Sequence, residues 1–307
     1  MFGLEMLDVL IGLMTVYFMF GIACTSIVEA ISAGTGFRSK NLEAALNELF
    51  SGELAPNTQF VTQFFDHPLI QSLSKGNAGR PSYIPSAIVG QVVQALVIGR
   101  SAMSTLSAGV NALPGSVEDN RIKGVLDTLV MQTGNDTDKF RKAVEAQFDA
   151  AMDRASGWYK RRTQTITLIV AAFLVSSANV DTINLATLLA ANPVAREQML
   201  VITEQYTREN PHRVSNDPGS PPVDPAEKAR TDYNQAMSAV QSVGFSLGWK
   251  TLPIGWGYLT KAIGLLITIF AVSLGGPFWF DILQRVMQIR STGPKPPEPG
   301  KSRKKNT

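Results

Sequence analysis

The chain reads as an all-α integral membrane protein with three transmembrane helices, a helical cytoplasmic segment and a helical and loop-rich outer segment. Three observations predict this. Val9–Val28, Thr163–Val180 and Ala262–Phe280 are apolar runs without a charged residue, each close to the roughly 20 residues a helix needs to cross hydrocarbon. Backbone groups in lipid have only each other as partners, which selects helix for all three. The bases also fall on one consistent side of these runs, except Lys261, which sits at the outer end of the third, where a lysine can snorkel. Arg38 and Lys40 follow the first, Lys160, Arg161 and Arg162 precede the second, and Arg285 and Arg290 follow the third. By the positive-inside rule this gives an outside N-terminus and a cytoplasmic C-terminus.

In chain order, residues 1–33 form the first transmembrane helix and 34–157 a cytoplasmic helical region. Residues 158–181 form the second transmembrane helix, and 182–258 an extracytoplasmic helix–linker–helix region. Residues 259–280 form the third transmembrane helix, and 281–307 an interfacial amphipathic helix with a basic tail. The first run is read as a retained span rather than a signal peptide, because the residues before it carry Glu5 and Asp8 and no base. Gly21 and Thr25 place small residues one turn apart in it, which permits close helix contact within the protein or between copies.

The cytoplasmic region is punctuated by Pro56, Pro68, Pro81 and Pro85, so 55–85 reads as irregular. The uncharged stretch 81–99 reads as a buried or interfacial helix and not as a fourth span. A short helix follows near 117–132. Asn135-Asp136-Thr137 then opens an amphipathic helix with Phe140, Val144, Phe148, Met152, Ala155 and Tyr159 on one stripe. No strong breaker separates it from the second run, which predicts one continuous helix with Trp158 and Tyr159 as interfacial anchors.

Beyond the second run, 193–208 and 226–243 read as helices around a Pro-rich linker. Trp249, Trp256 and Tyr258 read as an aromatic belt, with Trp256 and, at the other end of the third run, Trp279 as anchors. Gly275-Gly276-Pro277 ends that run. The following Ile282, Leu283, Val286, Met287 and Ile289 predict an amphipathic helix on the inner leaflet. Seven bases against one acid, Glu298, in the last 23 residues predict attraction to anionic lipid near Arg285, Arg290, Lys301, Arg303, Lys304 and Lys305.

The segment GGPFWFDILQRV, together with SGWYKRR before the second run, resembles C-terminal features of uncharacterised bacterial inner-membrane proteins. The resemblance rests on roughly a tenth of the chain. It implies a bacterial source and a cytoplasmic-membrane location, and it carries no activity with it.

Chemistry is sparse. Polar groups within spans are the usual pointer to function, and Asn179, Asp181 and Glu29 are the candidate intramembrane polar site. Asp181 or Thr182 also suits the cap of a following helix at the wet boundary, and Glu29 suits an ion pair with Arg38 or a base before the second run. His67 and His212 are predicted on opposite sides of the membrane. The single cysteine, Cys24, excludes an intrachain disulfide and a cysteine-based zinc cluster. Gly300-Lys301-Ser302 lacks the earlier glycine of a phosphate loop, and Ser72-Leu73-Ser74-Lys75 is too short to carry weight. The expectation is a non-enzymatic scaffold or anchor subunit without a cofactor. It acts through copies of itself or through an unknown protein partner, and it does not bind nucleic acid. The alternative is an oligomeric channel or transporter subunit using Asn179 and Asp181.

Overall fold

The structure is a computed structural model and describes residues 2–74, 80–99, 105–209, 224–249 and 257–291. It is mostly helical, and it divides into two compact units, one of residues 1–30 with 164–307 and the other of 31–163.

The second unit begins within α1 (Phe2–Thr35) and continues through α2 (Phe37–Leu49). A short antiparallel hairpin, β1 (Glu53–Ala55) and β2 (Thr58–Gln59), turns at Asn57, whose φ is 60°. An asparagine tolerates that left-handed conformation where most residues do not. Next come α3 (Phe60–Asp66), α4 (Pro68–Gln71), α5 (Ser86–Ile98), α6 (Leu106–Asn111), α7 (Arg121–Thr133) and the first part of α8 (Thr137–Ala178). Their apolar faces build one core around Phe60, Phe64, Val93, Leu126 and Phe140.

Two sequence expectations change here. The stretch expected to be irregular contains the hairpin and α3, because Phe60, Val61, Phe64 and Phe65 supply a buried stripe that the flanking prolines bound but do not interrupt. The hairpin is also a small departure from an all-α chain. The apolar stretch 81–99 forms α5 and buries Val89, Val92, Val93 and Val97 in this core.

The first unit is organised around α1. The chain leaves α8 at Asn179, bends by 51° into α9 (Thr182–Ala191), and continues through α10 (Pro193–Glu209), α11 (Pro225–Ser242), α12 (Gly257–Ser273) and α13 (Gly276–Ser291). Gly275, with φ of 85°, makes the break of 94° between α12 and α13. Ile11, Phe18, Phe20 and Cys24 of α1 share a core with Val175, Leu189, Met199, Val240, Val272 and Leu283, so helices from every later part of this unit cover α1.

One helix of the described chain, α1, is long and apolar enough to cross a bilayer. The count rises to three if each bent pair, α8 with α9 and α12 with α13, is taken as one span. The third apolar run is therefore two helices: it ends as a straight helix at Ser273, and Phe278-Trp279-Phe280 belong to the first turn of α13.

The described helices of 182–258, a segment read from sequence as extracytoplasmic, lie along α1. Gly12 of α1 faces Leu189 and Met199, and the hydroxyls of Thr15 and Thr203 meet at 2.6 Å. The rings of Phe18 and Tyr206 pack edge to face, and Ser26 Oγ donates to Asp232 Oδ2 at 2.5 Å. α10 thus runs beside one half of α1 and α11 beside the other. The cause is the apolar stripe each presents, Ala195, Met199 and Thr203 on α10 and Ala229, Ala236 and Val240 on α11, which needs an apolar partner.

Candidate polar site at the helix breaks

The break between α8 and α9 gathers a connected set of polar contacts inside the first unit. Asn179 takes the left-handed conformation that ends a helix, with φ of 57°. Its Nδ2 donates to the Gly248 carbonyl at 2.9 Å, and the Gly248 N–H donates to the Ala178 carbonyl at 3.0 Å. Its Oδ1 is buried without a hydrogen-bond partner among the described residues.

Asp181 is the N-cap of α9. Its Oδ1 accepts from Ile183 N at 2.9 Å and Asn184 N at 3.5 Å, so a carboxylate sits on the positive end of the helix dipole. Its Oδ2 lies 3.4 Å from Lys261 Nζ of α12, and the two side chains are 5 % and 17 % exposed. Lys261 also lies over the Trp249 ring, 5.8 Å from its centroid, and Trp249 Nε1 donates to the Ser176 carbonyl at 2.7 Å. Only glycine fits at 264, because a Cβ there would overlap the Asp181 carboxylate.

A chain of hydroxyls continues inward. Tyr17 meets Thr182 at 2.8 Å, Thr182 meets Thr268 at 2.8 Å, and Thr268 donates to the Gly264 carbonyl at 2.9 Å. Tyr17 is the centre of the apolar run of α1. Asp181 is therefore level with the middle of that run and buried, because α8 ends part-way along α1; it caps α9, as its position in the sequence suggested.

The other candidates separate from this cluster. Glu29 pairs with Lys228 of α11 at 3.7 Å, a partner the sequence reading did not name, because α11 lies beside α1. Trp279, named from sequence as an interfacial anchor, is half-buried: its ring packs on Tyr17 with centroids 4.9 Å apart, and its Nε1 donates to the Ala271 carbonyl at 2.7 Å. The apolar side of α13 also meets α1, with Phe280 on Phe18 and Leu283 in the shared core.

In the second unit Trp158 is exposed, while Tyr159 packs on Phe37 and receives Arg38 Nε at 3.4 Å. Trp256, Lys301, Arg303, Lys304 and Lys305 lie outside the described residues, as does His212. Arg285 is exposed on α13.

Gly21 has a definite role. A Cβ there would stand 2.9 Å from the Gly275 carbonyl carbon and the Gly276 nitrogen. The small-residue seam read from sequence is the seat of the α12–α13 break within this chain.

Sequence reasoning missed Lys261 as the partner of Asp181. The signal was present as a lone base at the edge of an apolar run, which is costly unless paired. Among the described residues no three His, Cys, Asp or Glu side chains gather as a metal site would require. No family model matches the chain, and neither a curated protein nor a solved structure shows significant similarity to it.

The outer surface of the first unit has two characters. On α8, Leu168, Ile169 and Phe173 are exposed. On α12, Leu259, Ile263, Leu266, Ile267 and Phe270 are exposed, with Phe270 at 67 % and Phe173 at 74 %. The only charge among the described residues of α12 is Lys261, which turns inward to Asp181. The outer faces of α10 and α11 are more polar: they expose Glu197, Gln198, Glu227, Arg230, Asn234 and Gln241, with Val194 and Val201 among the polar residues of α10.

Proposed function

We propose that the protein is a non-enzymatic scaffold or anchor subunit of a bacterial cytoplasmic membrane, embedded through the exposed apolar faces of α8 and α12. Those faces are the observation that carries the reading. Large aliphatic and aromatic side chains lie open along both helices without a charge among them, and a contiguous apolar surface of that kind marks a membrane or partner contact. The bases Arg38, Lys160, Arg161 and Arg162 support a cytoplasmic position for the second unit, which would offer its helices to partners. Copies of the chain or another protein complete the assembly.

The test is the native mass of the full chain in lipid nanodiscs. A defined complex, of copies or with a co-purifying protein, supports the scaffold reading. A monomer that retains no partner from native membranes contradicts it.

A second reading, an oligomeric channel or transporter subunit, is favoured by one observation. Helix breaks beside a buried ion pair level with the middle of an apolar run resemble the discontinuous helices that hold ion sites in transporters. Here Asp181 and Lys261 meet at the α8–α9 break, with the unpartnered Asn179 Oδ1 nearby. Asp181→Ala should then abolish ion flux in proteoliposomes while assembly persists, and unchanged flux rules the reading out.

A further inference from the structure

We propose that the outer face of the α10–α11 pair lines water at the depth of the bilayer, and that copies of this chain enclose that water. The inference rests on the membrane reading above and goes beyond it, to an aqueous path inside the assembly.

Depth is set by α1. Met199, Thr203 and Tyr206 of α10 stand beside Gly12, Thr15 and Phe18, and Asp232 and Lys228 of α11 stand beside Ser26 and Glu29. The pair therefore covers the apolar run of α1 along most of its length. Helices of 17 and 18 residues make a face on the order of 25 Å long at 1.5 Å per residue.

Their inward sides are mostly apolar, with Thr203 and Asp232 hydrogen-bonded to Thr15 and Ser26, and are occupied by α1. Their outward sides include Gln198, Glu204, Arg230, Asn234 and Ser238. Hydrocarbon does not accommodate a polar face of this extent, and polar side chains at membrane depth face a bundle interior or a water-filled cavity. α13 adds Asp281, Gln284 and Arg285 to the exposed polar surface. The largest exposed apolar side chains fall on α8 and α12, while on α10 Val194 and Val201 are exposed among the polar residues.

A second copy is the fitting enclosure. The polar face carries both signs, Glu197 and Glu227 against Arg230, so it can oppose itself across a symmetry axis, as closed homo-oligomers require.

The experiment uses the full chain with Cys24→Ala, reconstituted in sealed vesicles, with single cysteines and a charged, membrane-impermeant maleimide. Met6→Cys and Thr35→Cys report the two ends of α1. Asn234→Cys and Ser238→Cys report the polar face, and Phe173→Cys and Phe270→Cys the lipid face. The expected result is reaction of the two α1 ends from opposite sides, full labelling of 234 and 238, and loss of labelling at 173 and 270. A short bis-maleimide should join copies through Asn234→Cys. If both ends of α1 react from one side, the spanning reading itself fails. If the ends react from opposite sides while 234 and 238 stay unlabelled, the water-lined face alone is overturned. Labelling of 234 without any cross-link between copies overturns enclosure by this chain.

Discussion

Asp181 and Lys261 show what single residues do in this fold. Each would be costly alone in the core, and together with the α9 amides they satisfy one another. Breaking a buried pair by removing one partner leaves an uncompensated charge and costs about 3 kcal/mol or more. Lys261→Met should therefore lower stability by that order, and adding Asp181→Asn should recover part of the loss. Equilibrium unfolding in detergent across the four proteins of the cycle measures the coupling. Gly21→Ala should cost about 1–3 kcal/mol, because the added methyl meets backbone at the α12–α13 break and nothing there yields cheaply. The same unfolding assay checks it, with Gly34→Ala as a control, since that Cβ meets nothing within 4 Å. Cys24, wholly buried, should resist maleimide in the folded protein and react once denatured.

At the scale of elements, α8 illustrates how a helix start is built. Asp136 Oδ1 accepts from the amides of Asp138 and Lys139 at 3.0 and 3.1 Å. The Lys139 amide, above all, holds the Asp136 carboxyl below the usual carboxylate range. A group whose folded pKa is depressed contributes stability that is complete above its unfolded pKa and lost as pH falls through the folded one. The wild type should thus unfold at higher temperature than Asp136→Ala at neutral pH. The difference should vanish in strong acid, and a difference independent of pH would contradict the capping role.

Helix positions were legible because their signals are local. The stripe from Phe140 to Tyr159 and the capping at Asp136 predict α8, and Met199 and Val240 mark the inward faces of α10 and α11. What covers those faces is a long-range fact. Nothing in residues 193–243 says that their partner is α1 rather than each other or a surface, so the sequence reading placed them apart. The contact of Trp279 with Tyr17 is long-range in the same way, and nothing in residues 275–280 announces it. Lys261 looked like an exception to the charge pattern until the fold brought Asp181 to it.

For the whole molecule, the hydropathy of α1 describes burial and not its surroundings. A helix apolar on every side is either a span in lipid or the centre of a bundle, and α1 is enclosed by the later helices of its unit. The lipid-compatible surface has moved outward to α8 and α12. On the proposed function, the residues that would touch lipid are therefore those exposed on α8 and α12. Phe173→Arg with Phe270→Arg should release the protein from membranes into the alkaline-extractable fraction, whereas Asn234→Arg should leave it in place.

The most direct measurement is the collision of spin labels at positions 169, 173, 266 and 270 with oxygen and with a polar nickel chelate, in lipid bilayers. The account predicts that oxygen, concentrated in hydrocarbon, dominates at all four. Dominance of the nickel chelate at these positions would show that the α8–α12 face meets water and would contradict the membrane-embedded reading.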